Sequence, residues 1–337
     1  MATQIPVTVL GGGTWGMSLA HVLHDAGHAV RVWEFVPAVV DTLERTRRHP
    51  KLPRMVIPPD MHFSTDLAKL VKGAEFLVCA VPVEHLRETA RNVARSGYAG
   101  QPVIIGSKGI EWGTHALTAE VWGQELGAAG RGKVGVLYGP SLADEVSVSL
   151  PTSVVTSAED PALMDRIHKL FARPWFHVYL QPDLRGVELC GALKNVIAIA
   201  CGVSDGLGYG TNAKAALMTR GLGEMVKIGV AMGAQAQTFY GMAGVGDLIV
   251  TCVSPHGRNW KYGSLLGQGM ASDPALKEVG QVVEGRYTVR SAAELASKLG
   301  LSLPIVGAVN DLAYEGRAAR DVTAALMPDD PYGEMRQ

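Results

Sequence analysis

The 337-residue chain lacks the features that mark several classes of protein. Its 31 Lys and Arg residues nearly balance its 32 Asp and Glu residues, which leaves a formal net charge of −1. No excess of positive charge therefore favours nucleic acid or an anionic membrane as a partner. No run of about 18 uncharged apolar residues is present, and the N-terminus, MATQIPVTVL, lacks the basic start and apolar core of a signal peptide. We expect a cytoplasmic protein that binds no nucleic acid and does not insert into a membrane.

Cysteine is also scarce, and its spacing excludes the common zinc motifs. The chain has four cysteines, and none of them form a CxxC pair: Cys79, Cys190, Cys201 and Cys252. Three of the four lie in apolar runs, where a buried, reduced thiol is the usual state. The sequence therefore implies no metal site.

What the chain does have is length, apolar residues and glycine. Hydrophobic residues make up 47% of it, and there are 40 glycines. A chain of this length exceeds one ordinary hydrophobic core, so two domains are expected. The pattern changes near residue 184, which predicts a dinucleotide-binding domain over 1–184 and a helical substrate-binding and catalytic domain over 185–337.

A glycine-rich turn near the N-terminus predicts a dinucleotide site. The strand pattern Pro6–Leu10 runs directly into G-x-G-x-x-G, and a helical pattern follows. The glycines permit a tight turn and a close approach of the backbone to a pyrophosphate, while the helix N-terminus offers free N–H groups. The candidate cofactor residues of this turn are Gly11, Gly13, Thr14, Trp15 and Gly16.

The second strand, Ala29–Trp33, ends in Glu34 and Phe35. An acid at this place can accept a hydrogen bond from the adenosine ribose 2′-hydroxyl and would repel a 2′-phosphate. Phe35 could stack near the adenine. The alternative is that Glu34 is an ordinary solvated glutamate at a strand end. We therefore expect NAD(H) to be favoured, with NADP(H) possible.

Three more strand patterns alternate with helical runs, which predicts an α/β fold with a doubly wound parallel sheet. They are Phe76–Val81, Val103–Gly106 and Val134–Tyr138, and two further strand-like runs, Thr152–Thr156 and Trp175–Tyr179, extend the sheet. Ligands of such sheets lie at the carboxyl ends of the strands. Lys108, Gly139 and Ser141 fall at those ends and are candidate site residues.

After residue 183 the spacing becomes helical, with segments predicted over roughly 186–203, 211–233, 258–267, 286–300 and 304–315. In the first of these, GVELCGALKNVIAIACGV, apolar or small residues fill almost every position, and Lys194 lies in the middle, followed by Asn195. Residues three and four positions from Lys194 offer no counter-charge. Burial would lower its pKa from about 10.4, as a general acid–base group requires. The alternative is a lysine that extends its ammonium to water.

Two polar stretches follow in the second half. Asp247 and Thr251 are spaced i and i+4, which puts them on one helical face. Further on, glycine before Arg258 frees the backbone for an anion nest, and the guanidinium supplies a planar donor fork for phosphate. The alternative for Arg258 is a surface salt bridge. We expect the nearby His256 to be a loop histidine, not a catalyst.

Together these stretches resemble NAD(P)-dependent sn-glycerol-3-phosphate dehydrogenase of the bacterial type. The resemblance covers essentially the whole chain. Its most specific part is the ordered set GALKN, GDLIVTC and RN, and the matching stretches are GGGTWG at 11–16, SKG at 107–109, YGPSLADEV at 138–146, GVELCGALKNVIAIACGVSDGLGYGTNAKAAL at 186–217, GVGDLIVTC at 244–252, GRNW at 257–260 and VVEG at 282–285.

The resemblance implies a Rossmann N-terminal domain, an all-α C-terminal domain and a homodimer. It implies the reversible reduction of dihydroxyacetone phosphate to sn-glycerol 3-phosphate for phospholipid synthesis. Lys194 would transfer the proton, with the carbonyl between Lys194 and Lys108, Asp247 orienting Lys194 and Thr251 supporting it. The implied substrate contacts are Lys108, Gly139, Ser141, Lys194, Asp247, Gly257, Arg258 and Asn259. The implied cofactor contacts are Thr14, Trp15, Phe35, Lys108, Ala143, Arg258, Val282 and Glu284.

Two departures from the family pattern matter. Gly257 stands where many bacterial members have Ser, so a hydroxyl donor is lost while the backbone N–H remains. Glu34-Phe35-Val36 stands where many NADPH-using members carry basic residues, which favours NADH. Two rival functions remain open. One is a related hydroxy-acid dehydrogenase, which would not need the phosphate cluster at Arg258. The other is a non-catalytic sensor of the NADH/NAD⁺ ratio, which would need no acid–base lysine.

Overall fold

The computed structural model describes residues 4–255 and 257–324, so the expectation for His256 lies outside the described residues. The chain divides into two compact units. The first comprises the described residues up to Ser107 together with Thr118–Leu184, and the second comprises Lys108–Leu117 and the described residues from Arg185 onward.

The first unit is built on one eight-stranded sheet with the order β3-β2-β1-β4-β5-β6-β7-β8. Its strands are β1 (Pro6–Leu10), β2 (Ala29–Trp33), β3 (His62–Ser64), β4 (Phe76–Cys79), β5 (Val103–Ile105), β6 (Val134–Tyr138), β7 (Thr152–Ala158) and β8 (Phe176–Leu180). The central strands are buried on both faces, as their nearly continuous apolar runs require. The strand order reverses between β1 and β4, which is where ligands of doubly wound sheets bind.

Helices flank this sheet and cover the apolar faces of its strands. They are α1 (Thr14–Asp25), α2 (Pro37–Thr46), α3 (Leu67–Lys72), α4 (Leu86–Arg95), α5 (Thr118–Leu126), α6 (Ala143–Val146) and α7 (Pro161–Phe171). The core includes Val7 and Val9 of β1 together with Met17 and Leu23 of α1. The predicted α/β Rossmann fold is confirmed for this unit.

One strand pair departs from the predicted parallel arrangement. Strand β7 runs antiparallel to β6, although it pairs with β8 in parallel. Between β6 and β7 the chain forms only α6, a helix of four residues. Such a helix rises only about 6 Å, whereas a five-residue strand is about 17 Å long. The chain therefore enters β7 at the same end of the strands at which it leaves β6.

The second unit is helical, as predicted. Its helices are α8 (Leu184–Gly206), α9 (Thr211–Ala231), α10 (Asp247–Val253), α11 (Arg258–Gly267), α12 (Ser272–Val279), α13 (Glu284–Leu299), α14 (Pro304–Tyr314) and α15 (Ala319–Ala324). Helix α8 is buried along nearly its whole length. Within the described ranges it is the one helix that is long and apolar enough to cross a membrane, and its apolar window is entirely buried inside the structure, as in the core helix of a soluble protein.

The second unit takes in a short segment from the first half of the chain. Residues Lys108–Leu117 belong to it, although the sequence analysis placed them in the first domain. The remaining boundary lies between Leu184 and Arg185. Lys108 is therefore a residue of the helical unit.

Helices α8 and α11 cross with their backbones almost in contact. A Cβ atom on Gly202 would lie 2.1 Å from the carbonyl oxygen of Trp260, and a Cβ on Gly263 would lie 2.1 Å from that of Ile199. Only glycine permits this approach. The crossing fixes the helix that carries Lys194 against the helix that begins at Arg258.

Candidate active site

The centre of the candidate site is the buried carboxylate of Asp247, at the start of α10. Its Oδ1 accepts a hydrogen bond from Lys194 Nζ at 2.5 Å, and its Oδ2 accepts one from Lys108 Nζ at 2.7 Å. Lys194 Nζ also donates to Thr251 Oγ1 at 2.7 Å. The Thr251 hydroxyl in turn donates to the backbone carbonyl of Asp247 at 2.6 Å. Four predicted catalytic residues from three segments thus form one connected cluster.

Lys194 is held in this cluster as a buried amine. The residue is 7% exposed and its ammonium is bonded to Asp247 and Thr251, so the alternative of an ammonium extended to water is wrong. The pKa of Lys194 is lowered to about 8, because the lowering by burial and by the charge of Lys108 outweighs the raising by the charge of Asp247. The counter-charge that α8 does not supply comes from α10. An amine with this pKa exchanges protons near neutral pH.

The cluster carries two cations and one anion. Asp247 is 1% exposed and contacts both ammonium groups, one through each carboxylate oxygen. The excess positive charge in a desolvated place is suited to stabilise negative charge as it grows on an oxygen. The arrangement fits the reduction of a carbonyl or the reverse oxidation of an alcohol.

A second buried chain links three helices of the same unit, and sequence reasoning assigned no role to its first member, Asn195. The amide of Asn259 donates to Asn195 Oδ1 at 2.9 Å, and Asn259 Oδ1 accepts the N–H of Gly285 at 2.9 Å. Much of the Asn259 side chain is therefore used internally, although it was predicted to contact substrate. Among the described residues, its other amide hydrogen and its backbone N–H have no acceptor. The polar pair Lys194-Asn195 within an apolar helix was the available signal.

Helix α11 begins beside this chain and offers an anion site. Gly257 is the N-cap, and no side chain caps the helix. The first N–H groups of a helix and its positive dipole end attract anions. Arg258, the first helical residue, is exposed. Over the described ranges its guanidinium has no hydrogen-bond or ion-pair partner, so the alternative of a surface salt bridge is not realised there.

In the first unit, the glycine turn after β1 has the backbone that a dinucleotide needs. Gly11 adopts φ +107°, and a Cβ on Gly16 would lie 2.0 Å from the Gly11 carbonyl oxygen. Gly13 is the N-cap of α1, again without a side-chain cap. A Cβ on Gly13 would meet nothing within 4 Å, so the surface above the helix N-terminus is open. These residues fit a pyrophosphate.

Glu34 points at this turn. Its Oε2 accepts the N–H of Gly12 at 3.0 Å, and its Oε1 accepts the N–H of Val36 at 3.1 Å. The residue is 9% exposed, so the alternative of an ordinary solvated glutamate is wrong. Each carboxylate oxygen retains a lone pair for a ribose hydroxyl. The following Phe35 is 69% exposed.

The other predicted cofactor and substrate residues of the first unit lie at the carboxyl ends of its strands. Trp15 packs so close to the end of β5 that a Cβ on Gly106 would lie 2.7 Å from its Nε1, a buried atom without a partner among the described residues. Ala143 accepts a hydrogen bond from Ser18 of α1 at 2.8 Å. Gly139 adopts φ +142°, and its carbonyl accepts the Ser141 hydroxyl at 3.1 Å.

The structure thus sorts the predicted residues into two groups. Lys108, Lys194, Asp247 and Thr251 form the cluster in the second unit, where Val282 and Glu284 also lie, half-buried at the start of α13. The glycine turn, Glu34, Gly139 and Ser141 belong to the first unit. Within residues 4–255 and 257–324, no group of three His, Cys, Asp or Glu side chains could hold a metal ion.

Family models match both halves of the chain. Residues 6–164 match the NAD-dependent glycerol-3-phosphate dehydrogenase N-terminus, and residues 183–324 match the C-terminus of the same family. The chain belongs to the NAD-dependent glycerol-3-phosphate dehydrogenase family. The predicted resemblance is confirmed.

Relatives of this family match over nearly the full length. The chain is 43% identical to "glycerol-3-phosphate dehydrogenase (NAD(P)+) 2" of Lactobacillus delbrueckii subsp. bulgaricus over 98% of each chain. It is 43% identical to the glycerol-3-phosphate dehydrogenase (NAD(P)+) of Geobacillus thermodenitrificans over 95% of this chain and 94% of that one. A crystal structure of glycerol-3-phosphate dehydrogenase from Coxiella burnetii superposes with a TM-score of 0.91 at 34% identity, covering 96% of this chain and 98% of that chain.

Proposed function

We propose that this chain reduces dihydroxyacetone phosphate to sn-glycerol 3-phosphate with NAD(P)H, and catalyses the reverse reaction. The observation that supports this most is the pair of lysines on the buried carboxylate of Asp247, in a chain of the glycerol-3-phosphate dehydrogenase family. Its product would supply glycerophospholipid synthesis. We further propose that it acts as a cytoplasmic homodimer, with the dinucleotide bound by residues 1–184 and the substrate by residues 185–337.

The cofactor would be held by the first unit. The free N–H groups at the start of α1 and the glycines before it are suited to the pyrophosphate. Trp15 Nε1, which has no acceptor among the described residues, could donate a hydrogen bond to the cofactor. When bound, the reduced nicotinamide supplies the hydride that reaches C2 of the ketone. Ala143 and Phe35 are proposed as further contacts from this unit, with Val282 and Glu284 from the second.

Lys194 is the proposed proton donor. Negative charge grows on the carbonyl oxygen of the substrate during reduction, and the Lys194 ammonium stabilises it and gives up its proton. Lys108 adds a second positive charge to the same place. Asp247 holds both ammonium groups, and Thr251 fixes the rotamer of Lys194 through the bond at 2.7 Å. In the reverse direction the neutral amine of Lys194 takes the alcohol proton.

The substrate phosphate is proposed to bind at the N-terminus of α11. Arg258 supplies a planar pair of donors, and the backbone N–H groups of Arg258 and Asn259 point along the helix axis. Glycine suits position 257, because a Cβ there would lie 3.3 Å from the Ser254 carbonyl oxygen, which is closer than an ordinary contact. Gly139 and Ser141 are proposed as further substrate contacts.

Glu34 is proposed to make NADH the preferred coenzyme. A carboxylate fixed on the Gly12 N–H would accept a hydrogen bond from the ribose 2′-hydroxyl and repel a 2′-phosphate. NADPH would still be turned over at a lower kcat/KM.

Initial rates of dihydroxyacetone phosphate reduction, with NADH and NADPH in parallel, test the proposal. Pyruvate and other 2-keto acids serve as controls, because a hydroxy-acid dehydrogenase would need no phosphate. We expect turnover with the phosphate ester, faster with NADH. Tight NADH binding without turnover of any ketone would contradict the proposal and support the sensor.

A further inference from the structure

Lys108 reaches Asp247 from a segment that has no regular helix or strand. We call Lys108–Leu117 the Lys108 segment. Its chain folds back on itself through an isolated bridge between Ile110 and Leu117. The turn of this fold holds His115 in the left-handed region, at φ +60°, which non-glycine residues adopt only when their surroundings fix them. Something outside the segment must hold this conformation.

Successive turns of α13 hold the segment. The Ser291 hydroxyl donates to the backbone carbonyl of Ile110 at 3.3 Å. The guanidinium of the preceding residue, Arg290, lies 4.2 Å from the centre of the Trp112 ring. On the following turns Glu294 accepts from His115 at 2.7 Å, and Lys298 contacts the other ring nitrogen of His115 at 3.1 Å.

The hydrogen bonds define the state of His115. An ammonium can only donate, so His115 Nδ1 accepts from Lys298 and its Nε2–H donates to Glu294. Glu294 also accepts from Trp112 Nε1 at 3.4 Å and lies 3.6 Å from Arg290 Nε. The bonds to His115 and Trp112 hold the pKa of the Glu294 carboxyl below its ordinary value. Glu294 is thus the one carboxylate, among the described residues, on which both anchoring side chains of the segment converge.

We propose that Glu294 is a positioning residue for the reaction: through His115 and Trp112 it holds the Lys108 segment on α13 and so fixes Lys108 against Asp247. The inference rests on the role given to Lys108 in the proposed function. Glu294 does not touch the cluster itself. Without its carboxylate, His115 and Trp112 lose the acceptor that they share, and only Lys298, Arg290 and Ser291 still contact the segment. Lys108 is then held less closely against Asp247.

Two variants and one matched control test the proposal. Glu294→Ala removes the anchor, and Glu294→Gln keeps an acceptor for His115 and should rescue part of the loss. Asp311→Ala removes another half-exposed carboxylate of the same unit, which is paired with Arg317 at 2.8 Å and does not contact the segment. We expect Glu294→Ala to lower kcat for dihydroxyacetone phosphate between about tenfold and a hundredfold, as small misplacements of catalytic groups do. KM for NADH and the activity of Asp311→Ala should be unchanged.

The double variant separates positioning from general damage. If Glu294 acts through Lys108, Glu294→Ala should have no further effect on kcat in a Lys108→Ala background. The alkaline limb of the reduction rate should also move to higher pH in Glu294→Ala, because the charge of Lys108 lowers the pKa of Lys194. The proposal would be overturned if the kcat losses of the two single variants multiplied in the double variant. It would also be overturned if the alkaline limb of Glu294→Ala stayed at the wild-type pH.

Hydrogen–deuterium exchange tests the same inference without any substrate. The N–H of Glu111 is bonded to the Ala116 carbonyl, and the N–H of His115 to the Glu111 carbonyl. Both should exchange faster in Glu294→Ala and remain protected in Asp311→Ala. Unchanged protection would refute the anchoring role even if dihydroxyacetone phosphate proved not to be the substrate. If the wild type fails to reduce that ketone but the exchange result holds, only the proposed function fails.

Discussion

A single residue, Asp247, sets the chemistry of both lysines in the second unit. It is 1% exposed and contributes one oxygen to each ammonium. Removing the carboxylate would take away the anion that the two ammonium groups share, which is strongly unfavourable for the buried Lys194. The same contact keeps the pKa of Lys194 from falling further under burial. Asp247 thus maintains a proton donor that is charged at neutral pH yet able to release its proton.

The pH dependence of the reaction follows from this balance. Reduction needs the ammonium form, so its rate should fall as pH rises through the Lys194 pKa of about 8, while oxidation of sn-glycerol 3-phosphate should rise over the same range. Lys108→Ala should move the limb to higher pH, because it removes a positive neighbour. Asp247→Asn should move it to lower pH. The check is kcat/KM against pH for residual activity, and limbs that move in the same direction would contradict the assignment.

Coenzyme preference is predicted at Glu34. Glu34→Ala removes the carboxylate that would repel a 2′-phosphate, so the ratio of kcat/KM for NADPH to that for NADH should rise about tenfold, or about 1.4 kcal/mol. The kcat/KM for NADH itself should fall, because the Gly12 N–H loses its acceptor. Glu88→Ala, an exposed glutamate on α4, is the control. An unchanged ratio would mean that the carboxylate does not face the adenosine ribose.

How far the sequence predicts the site depends on where each partner lies in the chain. A lysine in an apolar helix indicates a buried amine, and this much could be read from α8 alone. Its counter-charge is 53 positions away on α10, and only packing brings the two together. The hydrogen bonds of the Asn259 side chain within the protein could not be predicted either, because its partners Asn195 and Gly285 lie on two other helices.

At the scale of elements, the glycines of α8 and α11 determine how closely two site-bearing helices approach. Gly202→Ala should lower the free energy of unfolding by about 1–3 kcal/mol, because its methyl group would meet the Trp260 carbonyl and force the helices apart. Gly307→Ala on α14 is the matched control, since a Cβ there meets nothing within 4 Å. It should be neutral or gain up to about 1 kcal/mol. Equal effects in denaturant titrations would refute the close crossing.

A buried carboxylate fixes a second helix junction. Glu224 of α9 accepts the N–H groups of Ile305 and Val306, at 2.7 and 3.0 Å, in the first turn of α14. Burial raises its pKa, yet both donors depend on it. Glu224→Ala should cost about 2 kcal/mol, because two buried N–H groups lose their acceptor. The exposed Glu315→Ala should change little, and a Glu224→Ala protein as stable as that control would contradict the capping role.

The bounds of helices and strands were predicted where the apolar pattern is clear, and elements were missed where they are short. The strands Pro6–Leu10 and Val134–Tyr138 and the helix Arg258–Gly267 have the predicted bounds. Strand β3 has three residues, too few for an alternating pattern. The predicted helical segments did not include α10, which has only seven residues and follows a glycine-rich stretch. The direction of β7 depended on the length of α6, which the sequence pattern does not reveal.

At the scale of the whole molecule, the residues proposed for cofactor binding and for catalysis lie mainly in different units. The first unit carries the glycine turn proposed to bind the dinucleotide, and the second carries the lysines and the proposed anion site. The membership of Lys108 could not be predicted, because it follows a sheet strand yet packs with the helices through the Lys108 segment. A change confined to Lys194 should therefore leave the dinucleotide turn intact.

The most direct test of the account compares Lys194→Ala with the wild type in dihydroxyacetone phosphate reduction by NADH, with NADH binding followed by fluorescence in the same samples. Loss of a general acid lowers a rate by about 10²–10⁴-fold. We predict a fall of that size in kcat, with the dissociation constant for NADH unchanged. Near-normal turnover in Lys194→Ala would contradict the central claim that the buried amine on Asp247 transfers the proton.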